Sequence, residues 1–544
     1  MNGLTRTASI LALLVAGACA TIDIQPWPEG QDAAAARFEQ DLTTLASDAY
    51  QGREAGTAGH ERAVDYVVAQ FEEMGLQPAG TDGFLQQVPL RRATRVTEGQ
   101  SAVYSAPGGA ERTLAVLDDF LLDAPSAPDA SARTAEAMAR GDIVFAGYGI
   151  DAPAFDIESY DGVDVRGKVV LLLQGVPEGL PSEERAHFQS ARTKIETAAA
   201  KGAAAVLFLG TQEPTLEWRE NVARWAESES DTYAGRNAAR EGVVTGYLFR
   251  DAARELFEAA GTTYEAAATP TASGAIEAMA LPGELALTAE GTFENYTSPN
   301  VVAMIEGSDP DLKNEYVVLS AHLDHVGVHG EGEDTIHNGA MDNASGIATM
   351  LEAARRFQAD GTRPRRSILF VAVTAEEKGL LGSDYFASNP TVPAEQMVAN
   401  VNLDMPILLH DFTDVIAFGA QHSTMQDLVE DAAESMNVAL TPDPVPEMVL
   451  FVRSDHYSFV KQGVPSVFLF LGFANGGGEK FQEFMTTYYH QPSDQPDLPI
   501  QYDTGAKFAA LNYRIAKAIA NADERPQWNP GDFFGGLYGP SSGS

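Results

Sequence analysis

The chain has a single cysteine, Cys19, in 544 residues, so it can form no internal disulfide. Basic residues are also scarce, with 36 Lys and Arg against 77 Asp and Glu and a formal net charge of -41. Such a surface repels phosphate backbones, so nucleic acid is not an expected partner. It favours solubility and suits a salty or extracellular setting. It also favours basic over acidic peptides, weakly once salt screens the field. Beyond the N-terminus no apolar run is long enough to span a bilayer. What remains is a 44% hydrophobic chain with scattered glycine and proline, the profile of a folded soluble protein. Its length points to two or three domains.

The first twenty residues read as an export signal. Arg6 precedes the apolar run Ile10 to Ala16, and the small residues AGACA follow. The segment resembles a bacterial lipoprotein signal in which Cys19 becomes the lipidated first residue, although Ala16 stands where leucine is usual. Ordinary cleavage after Ala18 or Ala20 is the rival reading. Lipidation places the protein on the periplasmic side of the cell envelope, as an outer-membrane lipoprotein; ordinary cleavage makes it secreted. A lipid on Cys19 is the one membrane attachment expected.

Residues 30–105 begin with two helical patterns, Ala33 to Ala46 and Gly59 to Met74. Over 106–283 the character shifts to short strands such as DIVFAGYG (142–149) and KVVLLLQG (168–175), with an Ala-rich helix near 192–201 leading into the strand 203–210. This stretch reads as a β-rich inserted domain. Over 284–523, buried strands at 316–322, 367–375, 397–404, 415–420 and 465–470 alternate with helices near 346–358, 383–388, 425–435 and 455–461. That order predicts an α/β three-layer sandwich with a mostly parallel central sheet. Residues 524–544 read as an irregular tail that its aromatics tether to the surface or that stays disordered.

Polar residues gather where these strands stop. His322 ends the first strand, Glu376 and Glu377 follow the second, Asp404 ends the third, and His490 lies in the loop YYHQPSDQ. Ligands of open α/β sheets collect outside the carboxyl ends of the strands, so these groups are expected at one edge. Asp342 joins them from GAMDNASG, just before a helix that Asn343 and Ser345 are suited to cap. The mixture of imidazole and carboxylate selects zinc over calcium or magnesium. Two divalent cations against Asp342, Glu377 and Asp404 leave one positive charge, which a bridging hydroxide balances. Asp342 is the best bridge between the two metals, and Glu376 is the general base for the shared water. Asp324, two residues after His322, is expected on the same face, accepting the other imidazole N–H.

The motifs AHLDHVG, GAMDNASG, TAEEKGLLGS, NLDMP and YYHQPSD resemble metallopeptidase family 28. Its members include secreted bacterial leucine aminopeptidases, glutamate carboxypeptidase II and the transferrin receptor ectodomain. ASDAYQGREAGTAGHERAVDYVVAQFEEMGLQPAG resembles the opening helices of that catalytic domain, and the inserted stretch resembles a protease-associated domain. The resemblance implies two zinc ions per chain, one on His322 and Asp404, the other on Glu377 and His490, bridged by Asp342. It further implies Glu376 as base and a cis peptide after Asp342. Arg453, Asp455 and His456, with Ser454, resemble a segment near the substrate pocket, where they contact substrate or else pack. Tyr489 either reaches the tetrahedral intermediate or serves as a core or rim aromatic. His325, His329 and His337 are expected to line the rim or to bond locally. The implied activity is removal of N-terminal residues from peptides. The alternatives are a dipeptidase or carboxypeptidase with Arg453 as its cation, a one-zinc glutaminyl cyclase, and a non-catalytic peptide-binding lipoprotein.

Overall fold

The uninterrupted apolar runs form the middle of the protein. The computed structural model describes residues 31–540 apart from 127, 128, 130 and 272–275; the expected signal over 1–20, including Cys19, lies outside the described residues. Tyr316–His322, Ser367–Val373, Met397–Asn402 and Ser466–Leu471 are buried along essentially their whole length. That is the signature of strands covered on both faces. They pair in parallel, with Tyr316–His322 between Ser367–Val373 and Met397–Asn402, and Ser466–Leu471 beyond the latter. Asp414–Phe418 and the end of Met279–Ile305 flank them antiparallel.

Side chains of one strand serve both layers in turn. Val317, Leu319 and Ala321 join a core with Ile347 and Leu351 of the helix Ser345–Ala359, and with the helices Gln31–Leu45 and Tyr502–Asn521. Val318 packs on the other face with Phe386 and Phe459, from Leu381–Ser388 and His456–Val460. The result is the expected three-layer α/β sandwich. Among the described residues no helix is long and apolar enough to cross a membrane.

The insert has its own core around Phe145, Leu171, Leu207, Leu248 and Phe257. Four of its strands, Thr134–Phe145, Val169–Leu172, Ala205–Leu209 and Val244–Leu248, are parallel neighbours in that order. Helices Ala191–Ala200, Leu216–Glu227 and Arg250–Ala259 accompany these strands. One strand of 27 residues, Met279–Ile305, pairs with Thr134–Phe145 in the insert and then with Ser367–Val373 in the central sheet. A buried carboxylate adds a second tie. Asp384 accepts bonds from Tyr233 Oη at 2.9 Å and Arg236 Nε at 3.1 Å on the insert side, and from Lys461 Nζ at 2.9 Å. Burial alone would raise its pKa, but Lys461, Arg236 and Arg192 outweigh it and hold the group well below the usual range.

The tail departs from expectation. Phe533–Tyr538 is helical, capped by Asp532 Oδ1, which accepts from Gly535 N at 2.7 Å. Phe534 is fully buried against Phe451 and His422, and Trp528 Nε1 donates to Gly463 O at 2.9 Å. Aromatic surface removed from water, rather than helix propensity, orders this segment. His422 sits between Asp532 Oδ2 at 2.5 Å and Glu183 Oε2 of the insert at 2.6 Å. Burial would lower its pKa, yet the two carboxylates push it up to about 10. A raised folded-state pKa stabilises fully below the ordinary histidine value, and the contribution fades as pH climbs towards 10. Between pH 6 and 10 the wild type should lose roughly 3 kcal/mol more stability than His422→Gln. Parallel thermal melts of the two proteins across that range check this; equal pH slopes would refute it.

Candidate metal centre

Parallel strands end together, and the polar residues that follow them meet at one edge of the sheet. Tyr316–His322 delivers His322 as its last residue, and Asp404 lies two residues past Met397–Asn402. Glu376 and Glu377 follow Ser367–Val373, His490 follows the helix Gly477–Thr487, and Asp342 precedes Ser345–Ala359. His322, Asp342 and Asp404 are buried.

The atoms form two triangles that share one residue. His322 Nε2 lies 3.3 Å from Asp342 Oδ1 and 3.1 Å from Asp404 Oδ1. His490 Nε2 lies 3.2 Å from Asp342 Oδ2 and 3.0 Å from Glu377 Oε2. Asp342 therefore offers a different oxygen to each triangle. Two donors on one tetrahedral zinc, each bonded at about 2.0–2.2 Å, stand roughly 3.3 Å apart, so both sets fit zinc. His490 Nε2 is buried and makes no hydrogen bond despite its two carboxylate neighbours. Burial would lower the His490 pKa, yet Asp342 and Glu377 push it up to about 10, a measure of the negative charge facing it. A cation would neutralise that charge.

His325 also approaches, and of its two expected roles, lining the rim or bonding locally, it takes the second. It is 1% exposed. Its Nδ1 lies 2.6 Å from Glu377 Oε1 and 3.9 Å from Asp342 Oδ2. The 2.6 Å contact is a hydrogen bond, too short to be one edge of a zinc polyhedron. His325 thus holds one oxygen of Glu377 and leaves Oε2 for the triangle. His329 and His337 stay nearer the outside, His337 Nδ1 meeting His490 O at 3.1 Å.

Surrounding groups fix these side chains. Asp404 Oδ2 accepts from Ser454 Oγ at 2.6 Å, which turns Oδ1 towards His322. The peptide Asp342–Asn343 is cis. Asn343 Oδ1 accepts from Gly346 N at 2.9 Å and Met405 N at 3.1 Å, so Asn343 caps the helix as expected. Ser345 does not; its hydroxyl donates back to Met341 O. Asp324 corrects an expectation. The backbone oxygen of Asp324, not its carboxylate, meets His322 Nδ1 at 3.1 Å. The carboxylate accepts from Glu376 N at 3.0 Å and Glu377 N at 3.3 Å. The strand stops at His322, so the alternation that would put both side chains on one face no longer applies.

Two supports were absent from the sequence reading. Asp494 is fully buried and accepts from Met341 N at 3.0 Å and Asp342 N at 3.1 Å, clamping the loop of the shared carboxylate. Arg53 is 1% exposed and donates to Leu323 O, Leu45 O, Asn338 O and Gly339 O at 2.6–3.0 Å. It enters through the turn Gln51–Gly52–Arg53, where all three residues have positive φ. A Cβ on Gly52 would strike the carbonyls of His337 and Gly327, so only glycine fits. The sole local signal for Arg53 is QGREAG, a charged residue in a glycine turn.

A small cleft of about 50 Å3 opens on the first triangle, lined by Glu376, Arg453, Tyr489, Met405, Phe468 and Met485 among others. Burial, together with Glu377 and Asp455, lifts the Glu376 carboxyl well above its usual range. Tyr489 stacks on His490 with ring centres 3.9 Å apart, and its Oη accepts from Arg453 Nη2 at 3.1 Å. Arg453 and Tyr489 thus reach the cleft as expected. Asp455 and His456 do not: both are fully buried, because the chain turns inward at Ser454 into the helix His456–Val460. His456 packs between Phe451 and Phe468.

Residues 300–516 match the model of peptidase family M28. The chain is 30% identical over 190 residues to a probable leucine aminopeptidase 2 from Aspergillus oryzae, covering 33% of this chain and 34% of that protein. It is 36% identical over 290 residues to a probable zinc metalloprotease from Pyricularia oryzae, covering 46% and 55%. It thus spans about a third to a half of these relatives. Among solved structures it is similar to an aminopeptidase from Aneurinibacillus sp. strain AM-1, with a TM-score of 0.48, 19% identity, and 92% and 97% of the two chains covered. The stretch that matches peptidase family M28, residues 300–516, is the stretch that holds both triangles.

Proposed function

We propose that the chain is a zinc exopeptidase that removes residues from the free N-terminus of peptides. The observation that carries this reading is Asp342, whose two oxygens close two separate nitrogen–oxygen triangles of the size zinc requires. His322 and Asp404 would hold one ion, Glu377 and His490 the other. Bound zinc supplies Lewis-acid polarisation of the scissile carbonyl and an acidified water.

The chain's own residues supply the rest. Among the described residues no hydrogen bond holds the Glu376 carboxylate, while its backbone N is fixed by Asp324. Glu376 takes the proton of the attacking water and returns it to the leaving amine. Tyr489 Oη accepts from Arg453, which leaves its own proton free to donate to the developing oxyanion. Met405, Leu450, Phe468, Phe470 and Met485 make the cleft wall apolar, suited to an apolar terminal side chain and to excluding water. A carboxypeptidase would need cations there, and Arg453, already bonded to Tyr489, is the one cation in the lining.

Leucyl- and phenylalanyl-p-nitroanilide should be cleaved at least roughly a hundredfold faster than their N-acetyl counterparts, because a site built for a free amine rejects a blocked one. Preference for the acetylated substrates, or for C-terminal release from peptides, would overturn the reading.

A further inference from the structure

The paired triangles separate two cavities, and only the smaller is accounted for by a terminal side chain. The larger, about 730 Å3, opens on the Glu377 and His325 side and is lined by Glu54, Arg92, Glu229, Asp231, Glu294 and Lys378 among others. It lies in the upper part of the usual range of binding pockets, about 300–1,000 Å3, so more than one peptide residue fits.

We propose that this cavity is the leaving-side subsite, which holds the peptide beyond the scissile bond and selects basic residues there. The inference rests on the exopeptidase reading. A substrate with its terminal side chain in the apolar cleft has its scissile carbonyl at the triangles, and the remaining chain must leave on the opposite side. Glu377 and His325 line that side.

The charges of the wall decide the preference. Arg92 is engaged by Glu229 at 3.1 Å and Asp231 at 3.9 Å, and Lys378 by Glu54 at 2.9 Å and Asp231 at 3.5 Å. Glu294 stands opposite Arg92 across the strand pair, yet among the described residues it makes no ion pair within 4 Å, so four wall carboxylates face two cations that Glu229, Asp231 and Glu54 already hold. A lysine or arginine of the peptide meets net negative charge, and an aspartate is repelled. The strand segment Ser230–Tyr233 and the residues before it bring Glu229 and Asp231 to this wall, which gives the insert a part in substrate choice.

The test uses the full zinc-loaded chain with Leu-Lys-amide, Leu-Ala-amide and Leu-Asp-amide at low and high salt. At low salt kcat/KM for the lysine substrate should exceed that for the aspartate substrate about tenfold, mostly through KM, and the gap should narrow as salt rises. In Glu229→Gln/Glu294→Gln the ratio should fall towards one, whereas Glu284→Gln, which pairs with the exposed Arg140 and is not part of the cavity wall, should keep the wild-type ratio. A ratio near one in the wild type, or one unchanged in the double variant, overturns the subsite. Leucyl-p-nitroanilide, whose leaving group is uncharged, separates the two readings. If the wild type cleaves it while the ratio is one, only the subsite falls; if it is not cleaved, the exopeptidase reading falls and the subsite with it.

Discussion

Glu376→Gln should lower kcat by about a thousandfold on every substrate while zinc content and thermal stability stay at wild-type values. Glutamine keeps the shape of the side chain and its place in the cleft but can neither take nor return a proton. Its backbone N still donates to Asp324 Oδ1, so the neighbouring Glu377 keeps its position. The residue belongs to neither triangle, which is why metal content should not change. Steady-state kinetics alongside metal analysis separates this outcome from its rivals. Retention of near-normal turnover would remove Glu376 as the base. Loss of zinc along with turnover would make it a ligand instead.

Arg53→Met should cost about 3–5 kcal/mol of stability, the second large effect. Burial pulls the Arg53 guanidinium down to about 10, still protonated at neutral pH, with Asp494, Asp342, Asp324 and Glu377 working against that fall. Methionine fills much of the volume but strands the four carbonyls of Leu45, Leu323, Asn338 and Gly339, and it removes the positive charge nearest the carboxylates. Arg53→Lys should recover only part of the loss, since a point charge cannot reach four acceptors in fixed directions. Urea unfolding of the three proteins decides the matter. A midpoint for Arg53→Met within experimental spread of the wild type would show that the guanidinium contributes little.

Much of the site was readable because each of its members interrupts a pattern. His322 and Asp404 close runs that only a buried strand tolerates, Glu376 and Glu377 follow another, and a parallel sheet must bring such ends together. The residues that escaped reading share a different property. Arg53 meets Leu323 and Gly339 across 270 and 286 positions of sequence, and Asp494 meets Met341 across 153. Nothing near either residue marks it as inward-facing, and a lone charge in a turn reads as solvated. His325 escaped because its role depends on Glu377, 52 positions away. Asp324 misled because its strand ends two residues too soon. Asp455 and His456 pack rather than contact substrate, because proximity to Arg453 in sequence does not survive the turn at Ser454. In the fold, the helix Tyr502–Asn521 lay outside the expected elements although it packs against Ser345–Ala359. The tail's aromatics are visible in the sequence as a candidate tether, but its helix is not, because its order comes from aromatic contacts rather than periodicity.

The most direct test is to titrate zinc into chelator-treated wild type and Asp342→Asn, following stoichiometry by calorimetry and metal analysis. Wild type should bind two ions per chain, and the substitution should weaken both positions together, because the lost carboxylate supplies one oxygen to each. One ion per wild-type chain, or two undiminished sites in Asp342→Asn, would contradict a shared carboxylate at the centre of the protein's chemistry.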